Sequence, residues 1–195
     1  MNERSTKEKI LNVAAELFYS NGYINTGVEE IISACNSKKP TLYYYFKSKA
    51  DLGLAYLDFK ELEFLEIMDK LEERSETLQD FFGSWIMLVK RLAKKKEFFG
   101  CPFSSFASQL NQTSKPFFET KLHQIKKHWL AKVKNILENK SSSNKKNTSI
   151  DFDSIAMEVM VIYVGGSNLY RMTGQIEFIN VMGKQFEEIA IRLSF

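Results

Sequence analysis

The chain has 195 residues, of which 44% are hydrophobic and 26% are charged, a composition that is typical of globular proteins and excludes disordered and fibrous classes. The net charge of +3 is too small to mark the whole chain as a polyanion-binding protein. No stretch approaches the ~20 apolar residues of a membrane span, and the polar start lacks a secretory signal, so we expect a cytoplasmic protein without membrane contact.

The distribution of charge along the chain indicates two functional regions. Residues 1–50 carry seven Lys or Arg against five Asp or Glu, whereas residues 51–75 carry three against eight. Cys35 and Cys101 are too few for a disulfide framework or a zinc site, and we interpret both as small buried apolar residues. We therefore expect one region over residues 1–50 and another over residues 51–195.

Three helices are predicted in the first fifty residues. Apolar residues at helical spacing predict the first helix over residues 5–20. The second helix is expected to begin after Gly27, its N-cap, and to end before Asn36, which can adopt a left-handed conformation. The third helix is predicted over residues 38–46, and the three helices share one small core.

Six further helices are predicted after the third, most of them bounded by capping or breaking residues. Four of them are expected over residues 48–70, 77–96, 103–110 and 114–138. An eighth helix is expected to open at Asp151 or Asp153, and a ninth is expected to end near residue 193. The polar segment 140–149 is expected to form an exposed loop. The apolar run at 159–164 in the eighth helix indicates burial on more than one side. The predicted fold class is all-α, with no strand-like alternation.

The ninth helix carries two apolar stripes, one through Phe186 and one through Met182. Two stripes need two partners, and we expect one of them to be a second copy, because symmetric homodimers are the commonest oligomers. Gly165 and Gly166 within the eighth helix indicate a close helix approach, since each costs about 1 kcal/mol relative to alanine. The expected dimer interface comprises Val164, Gly165, Ile179, Gly183, Phe186 and Ala190.

Residues 28–46 have the helix, turn and helix layout in which the second helix enters the DNA major groove. Layout alone is weak support, because helical hairpins are common in ordinary bundles. The segment 38–49 concentrates hydroxyl and ammonium groups, which are the donors that phosphate contacts need. The alternative interpretation is a solvated lysine face beside tyrosines of the core.

Several motifs stand at fixed spacing between Ile10 and Leu52. They are AAELF at 14–18, NGY at 21–23, TGV at 26–28, Ile31, and KPTLYYYFKSK at 39–49. This set closely resembles the DNA-binding domain of the tetracycline-repressor (TetR) family and covers roughly the first quarter of the chain. The resemblance implies an N-terminal three-helix helix-turn-helix DNA-binding domain and a C-terminal helical bundle for ligand binding and dimerisation. It also implies a homodimer that represses transcription at pseudo-palindromic operator DNA.

The resemblance implies roles for individual residues. Thr26, Thr41, Tyr43 and Lys49 are expected to hold phosphates, whereas Lys38, Lys39 and Tyr44 are expected to face base edges. The full set expected at the DNA is Thr26, Gly27, Ser37, Lys38, Lys39, Thr41, Tyr43, Tyr44 and Lys49. The turn departs from the family pattern, because Asn36-Ser37-Lys38 replaces the usual glycine, small aliphatic residue and serine cap. This departure places the expected cap at Ser37 and Pro40 at the third helical position.

The C-terminal half is rich in aromatic residues and methionines, most of which we interpret as core. A subset that lines a cavity is the default ligand hypothesis for a helical bundle, and we expect an apolar or aromatic small-molecule effector. The expected lining comprises Trp85, Phe103, Phe106, Trp129, Met160 and Tyr163.

Two alternatives remain open, namely a regulator of the same fold that is switched by oxidation of Cys101 and a helical-bundle enzyme. His123 and His128 fall on different faces of one helix and lack nearby ligand residues. No catalytic residue, metal or cofactor is therefore expected.

Overall fold

The computed structural model describes residues 6–141 and 150–194, and within these ranges the chain forms nine α-helices and no strand. The helices are α1 (Thr6–Ser20), α2 (Val28–Ala34), α3 (Lys39–Tyr45), α4 (Lys49–Glu73), α5 (Leu78–Lys94), α6 (Pro102–Ala107), α7 (Lys115–Lys140), α8 (Phe152–Thr173) and α9 (Glu177–Arg192). The predicted all-α fold class is confirmed. Lys140 belongs to α7 rather than to the predicted loop, and residues 142–149 of that loop lie outside the described residues.

Local capping sets several of the predicted helix starts. The Ser48 hydroxyl accepts a hydrogen bond from the Asp51 amide at 3.0 Å and donates to the Asp51 carboxylate at 2.9 Å, which opens α4. Thr77 opens α5 with a complete capping box, and the Asp151 side chain accepts from the Ser154 amide at the start of α8. Each cap satisfies an amide that a helix N-terminus would otherwise leave unpaired.

The chain forms two compact units. Unit 1 comprises the residues up to Glu63 together with Pro102–Gln124. Unit 2 comprises Phe64–Cys101 together with the chain from Ile125 onward. Helices α4 and α7 contribute residues to both units. The division into functional regions 1–50 and 51–195 follows different bounds and stays a prediction.

An aromatic cluster forms the core of unit 1 and joins the N-terminal helices to α6 and α7. The ring centroids of Tyr23 and Phe106 lie 4.5 Å apart, and Phe118 of α7 lies 5.5 Å from Tyr23. Tyr56 of α4 lies 5.6 Å from Phe18 of α1 in the same cluster. The N-terminal segment therefore shares its core with Phe106 and Phe118, which follow Tyr23 by 83 and 95 positions in the sequence.

Both apolar stripes of α9 are buried against helices of the same chain. Phe186 is fully buried, and its ring centroid lies 4.8 Å from Phe82 and 5.2 Å from Trp85 of α5. Met182 lies against α8, where a Cβ added to Gly166 would come within 3.2 Å of the Met182 Cβ. The close helix approach at Gly166 is therefore confirmed. The expectation that one stripe faces a second copy is wrong, because α5 and α8 bury both stripes.

Four of the residues predicted at the dimer interface pack within the chain, namely Ile179, Gly183, Phe186 and Ala190. A Cβ on Gly183 would lie 3.2 Å from the Ile86 side chain of α5. Val164 is half-buried, and Gly165 is exposed with open space around an added Cβ. The exposed apolar residues of α8 and α9, which we call the outer face, are Met157, Val161, Leu169, Met172, Val181 and Ile191. Val161 is 69% exposed, so the apolar run of α8 is not buried on every side within this chain.

A lysine of α7 bridges two carboxylates of α4 in unit 2. Lys132 Nζ lies 2.6 Å from Asp69 Oδ1 and 2.6 Å from Glu72 Oε2. Burial opposes the charged forms of Lys132 and Glu72, but their hydrogen bonds outweigh it, so the pKa of Lys132 is raised and the pKa of Glu72 is lowered. The contribution of Glu72 to stability is therefore present above its ordinary pKa of 4.5 and is lost as the pH falls.

We expect Lys132→Met to lower the free energy of unfolding at neutral pH by about 2 kcal/mol, between the values for exposed and buried ion pairs. The difference from the unsubstituted protein should shrink as the pH falls below the ordinary Glu72 pKa of 4.5, because protonation removes the charge that pairs with Lys132. Urea unfolding at neutral pH and at a series of lower pH values measures both effects. Lys134→Met is the matched control, because Lys134 pairs with the largely exposed Asp153. Equal losses from the two variants would contradict a special role for the Lys132 bridge.

Candidate nucleic-acid interface

The turn between α2 and α3 is closed by hydrogen bonds that require a left-handed residue. Gly27 is the N-cap of α2, as predicted, and Asn36 follows the helix with a φ of 49°. The Asn36 amide donates to the Ser33 carbonyl at 3.1 Å, and the Ser37 amide donates to the Ile32 carbonyl at 2.8 Å. This pair of bonds is a Schellman motif, which satisfies the last carbonyls of a helix. The predicted left-handed conformation of Asn36 is confirmed.

Lys38, and not Ser37, is the N-cap of α3. Its backbone is extended, and its carbonyl accepts hydrogen bonds from the amides of Thr41 and Leu42. The prediction of a Ser37 cap is wrong because the Ser37 amide closes the preceding Schellman motif, so α3 begins one residue later. Pro40 is therefore the second helical residue, where its missing N–H breaks no intrahelical bond.

Helix α3 is anchored on one side and exposed on the other. Leu42 is fully buried, and Phe46, which follows the helix, is also buried. On the opposite side Tyr44 is 82% exposed and Tyr43 is 40% exposed. We call the exposed donors of this region the α3 face; they are Lys38, Lys39, Tyr43, Tyr44 and Lys47. Ser37 and Thr41 are half-buried beside it.

An exposed ion pair joins the α3 face to α2. Lys39 Nζ lies 2.6 Å from Glu29 Oε1, and this hydrogen bond raises the pKa of Lys39. Such exposed pairs contribute little to stability, so the ammonium group can exchange the carboxylate for another acceptor. Sequence reasoning missed the role of Glu29, because no sequence pattern links two residues on different helices.

Two residues that were expected at the phosphates are held by other parts of unit 1. Thr26 is 0% exposed, and its hydroxyl donates to the Gly22 carbonyl at 2.9 Å. The expected surface position of Thr26 is therefore wrong, because its hydroxyl closes the turn before α2. Lys49 Nζ donates to the Ile24 carbonyl at 3.3 Å and lies 4.7 Å from the ring centroid of Tyr23. Partial burial lowers the pKa of Lys49.

Gln109, which lies in the turn after α6, holds the segment between α1 and α2. Its Oε1 accepts a hydrogen bond from the Ile24 amide at 3.1 Å, while its Nε2 donates to the Ser105 carbonyl at 2.8 Å. Gly22 has a φ of 96°, a conformation that favours glycine, and a Cβ there would come within 2.6 Å of Gln109 Oε1 and displace that side chain. Sequence reasoning missed this contact, because Gln109 is 85 residues away from Ile24.

The structure brings together three of the residues that were expected to line an effector cavity. The ring centroid of Tyr163 lies 5.1 Å from that of Trp85 and 5.6 Å from that of Trp129. Phe64, which was not predicted, joins them at 5.4 Å from Trp129. We call these four residues the unit 2 aromatic cluster. Met160 is half-buried and precedes Tyr163 by three residues on α8.

The other two expected cavity residues belong to α6 in unit 1. Phe106 is buried in the cluster around Tyr23, and Phe103 is half-buried. Both cysteines are buried, as predicted, with Cys101 only 2% exposed. Among the described residues, no group of His, Cys, Asp or Glu side chains is placed to hold a metal ion. No helix in the described ranges combines the length and apolarity needed to cross a membrane.

Part of the sequence is similar to known regulators. Residues 10–56 match the family described as bacterial regulatory proteins, tetR family. The chain is 41% identical over 76 residues to the HTH-type transcriptional regulator QacR of Staphylococcus aureus, covering 39% of this chain and 40% of that protein. It is 31% identical over 121 residues to an HTH-type transcriptional regulator in the lacX 3′ region of Lactococcus lactis subsp. lactis, covering 60% of each chain. These matches therefore span less than two thirds of either relative.

The likeness in fold extends over nearly the whole chain. SCO4454, a TetR-family transcriptional regulator from Streptomyces coelicolor, gives a TM-score of 0.80 at 17% identity and covers 97% of this chain and 96% of its own. A TetR transcriptional regulator from Legionella pneumophila gives a TM-score of 0.79 at 23% identity, and the match covers 97% of this chain and 100% of that one. The predicted arrangement, an N-terminal helix-turn-helix domain followed by a helical bundle, is confirmed as the fold.

Proposed function

Because this chain belongs to the TetR family of bacterial transcriptional regulators, we propose that its α3 face reads operator DNA and that it represses transcription there until a small-molecule effector binds. The observation that carries the proposal is the α3 face, where three lysines and two tyrosines are exposed beside the buried anchor Leu42. The site of action is the cytoplasm, where the bacterial chromosome lies.

The chemistry of the α3 face suits both kinds of DNA contact. Lys38 and Lys39 lie at the start of α3, where lysine can donate to guanine O6 and N7 in the major groove. The Tyr43 hydroxyl is a neutral donor that suits a phosphate oxygen. Lys49, the first residue of α4, adds a further cation. In this structure its ammonium group contacts the Ile24 carbonyl and the ring of Tyr23.

We expect Lys39→Ala and Tyr43→Phe each to weaken operator binding about tenfold without unfolding the protein, since both side chains are exposed donors. The lysine change should also flatten the dependence of log K on log salt, by about 0.9 for each phosphate that it neutralises. The tyrosine change removes no charge and should leave that slope unaltered. Titrations of a fragment selected from the DNA beside this protein's own gene, at two salt concentrations, measure both effects.

Glu29→Gln is the matched variant, and its expected effect on operator binding has the opposite sign. The substitution removes the carboxylate that holds Lys39 and that would repel phosphates, so operator binding should strengthen a few-fold. If the titrations of all three variants coincided with that of the unsubstituted protein, α3 would not be the recognition helix.

The homodimer of the proposal uses the outer face of α8 and α9. Exposed apolar residues such as Val161, Met172 and Val181 recur along these two helices, where they would be buried by a second copy. A two-fold dimer would present two α3 faces to half-sites separated by about 34 Å or more, which matches a pseudo-palindromic operator.

The unit 2 aromatic cluster supports an apolar or aromatic effector. Trp129 is 5% exposed, and its indole N–H has no hydrogen-bond partner among the described residues. An unpaired buried donor costs about 1–3 kcal/mol, so an effector that carries an acceptor atom would gain by reaching it. A hundredfold loss of operator affinity requires about 2.7 kcal/mol of coupling between effector and DNA. Repeating the operator titration with compounds that quench tryptophan fluorescence tests this part of the proposal.

Oxidation of Cys101 is the less favoured switch. Redox-sensing cysteines are partly exposed, because an oxidant must reach the thiolate. The Cys101 side chain is buried, which disfavours that reaction in the folded protein.

A further inference from the structure

A groove with an apolar floor and a basic rim lies on the surface of unit 2, between the C-terminal part of α4 and α5. Its volume is ≈ 570 Å³, within the range of about 300–1,000 Å³ that is usual for small-molecule sites. We call its apolar lining residues the floor; they include Ile67, Leu71 and the exposed Met87. We call its exposed cationic lining residues the rim; they are Lys70, Arg74 and Arg91. None of the four residues of the unit 2 aromatic cluster lines it. The groove is therefore a different site from the one proposed for the effector.

The rim of this groove carries three positive charges, of which one is paired with a carboxylate. No acidic side chain is among the residues that line it. Lys70 pairs with Glu66 at 3.5 Å, whereas Arg74 and Arg91 have no ion-pair partner among the described residues. Positive charges that cluster beside an apolar surface, where the effective dielectric constant is lowered, favour the binding of an anion. Guanidinium groups in particular match the planar geometry of a carboxylate.

The floor of the groove offers apolar surface that a flexible chain could cover. Met87 is 68% exposed, and an unbranched methionine adapts its shape to varied partners. A second groove of ≈ 630 Å³ between α5 and α9 also includes Met87. It is lined by Glu187 as well as by Lys90 and Lys184, so its charge is mixed. The two grooves share an apolar residue and differ in their charge.

We propose that the groove between α4 and α5 binds a free single-chain amphiphilic anion, such as an alkyl carboxylate. The alkyl chain covers Ile67, Leu71 and Met87, and the head group pairs with the guanidinium groups of Arg74 and Arg91. The alkyl chain of such a ligand suits the floor of the groove, and its anionic head group suits the rim. A neutral hydrocarbon would leave the rim without a partner, and an inorganic anion would leave the floor uncovered. The site needs neither DNA nor the effector, so its test is independent of the proposed function.

The test is isothermal titration calorimetry of the full chain with dodecanoate below its micelle concentration. Dodecyltrimethylammonium provides the same chain with the opposite charge. We expect dodecanoate to bind and the cation not to bind. The double variant R74Q/R91Q should weaken dodecanoate binding about tenfold or more, because charge-assisted hydrogen bonds are lost. The matched control K90Q/K184Q removes two charges from the second groove and should change affinity less than about twofold.

Each other outcome overturns the proposal. Absence of dodecanoate binding, comparable binding of the cation, or similar losses in the two double variants would show that this groove does not recognise an amphiphilic anion. Co-sedimentation with phosphatidylglycerol vesicles, in the absence of binding to free dodecanoate, would assign the basic rim to a membrane surface instead. Circular dichroism of both double variants checks that they remain folded, as expected for exposed positions.

Discussion

Phe186→Asp is expected to unfold unit 2 rather than to release a folded monomer. Phe186 is fully buried between the rings of Phe82 and Trp85, so removing its side chain costs about 3–5 kcal/mol. Burial of an unpaired carboxylate adds a further penalty. Together these losses approach the 5–15 kcal/mol that stabilises a typical protein. The measurement is circular dichroism with the fluorescence of Trp85 and Trp129 as a function of urea.

Phe186→Leu is the control for this prediction. Leucine remains apolar and fills part of the same space, so the variant should fold with a loss of about 1–3 kcal/mol. A Phe186→Asp protein with native circular dichroism that sedimented as a monomer would restore the sequence-based interpretation, in which this stripe of α9 faces a second copy.

Val161→Asp combined with Val181→Asp is expected to give a folded monomer that has lost operator affinity by a factor of about a hundred or more. Both valines are exposed in the single chain, so the charges leave its core intact, but they would be buried without partners in a dimer. Linking the binding of two half-sites in one dimer typically raises the overall affinity by a factor of about 10²–10⁴, and a monomer lacks this gain. Sedimentation at micromolar concentration and the operator titration measure the two effects.

The matched control places the same two charges elsewhere. Leu62 and Met87 are comparably exposed apolar residues on α4 and α5, so Leu62→Asp with Met87→Asp should remain dimeric. If the outer-face variant stayed dimeric, or if both double variants became monomers, the outer face of α8 and α9 would not be the dimer interface.

The helices were predictable because their signals are local in the chain. The Ser48 and Asp51 side chains that open α4 are three residues apart, and the same spacing recurs at Thr77 and at Asp151. Apolar residues at helical spacing likewise predicted α1 to within one residue of its observed bounds. Such features depend on hydrogen bonds and spacing within one turn, which the sequence displays directly.

The partners of each face were not predictable, because they depend on contacts between distant segments. An apolar stripe on α9 has the same appearance whether α5, α8 or a second copy covers it, and only the structure assigns Phe186 to α5. Thr26 could equally have faced solvent, and its burial follows from the turn that its hydroxyl closes. The Glu29 partner of Lys39 and the Gln109 contact with Ile24 likewise leave no local signature.

The contacts of Tyr23 and Gln109 determine how this DNA-reading part could be transplanted. A fragment that ended at residue 50 would lose Tyr56, Phe106 and Phe118, and Tyr23 would then expose an aromatic surface that is buried in the full chain. It would also lose the side chain of Gln109 that secures the turn before α2. The portable module is therefore discontinuous, and a chimeric regulator would have to carry α6 and the start of α7 along with α1, α2 and α3.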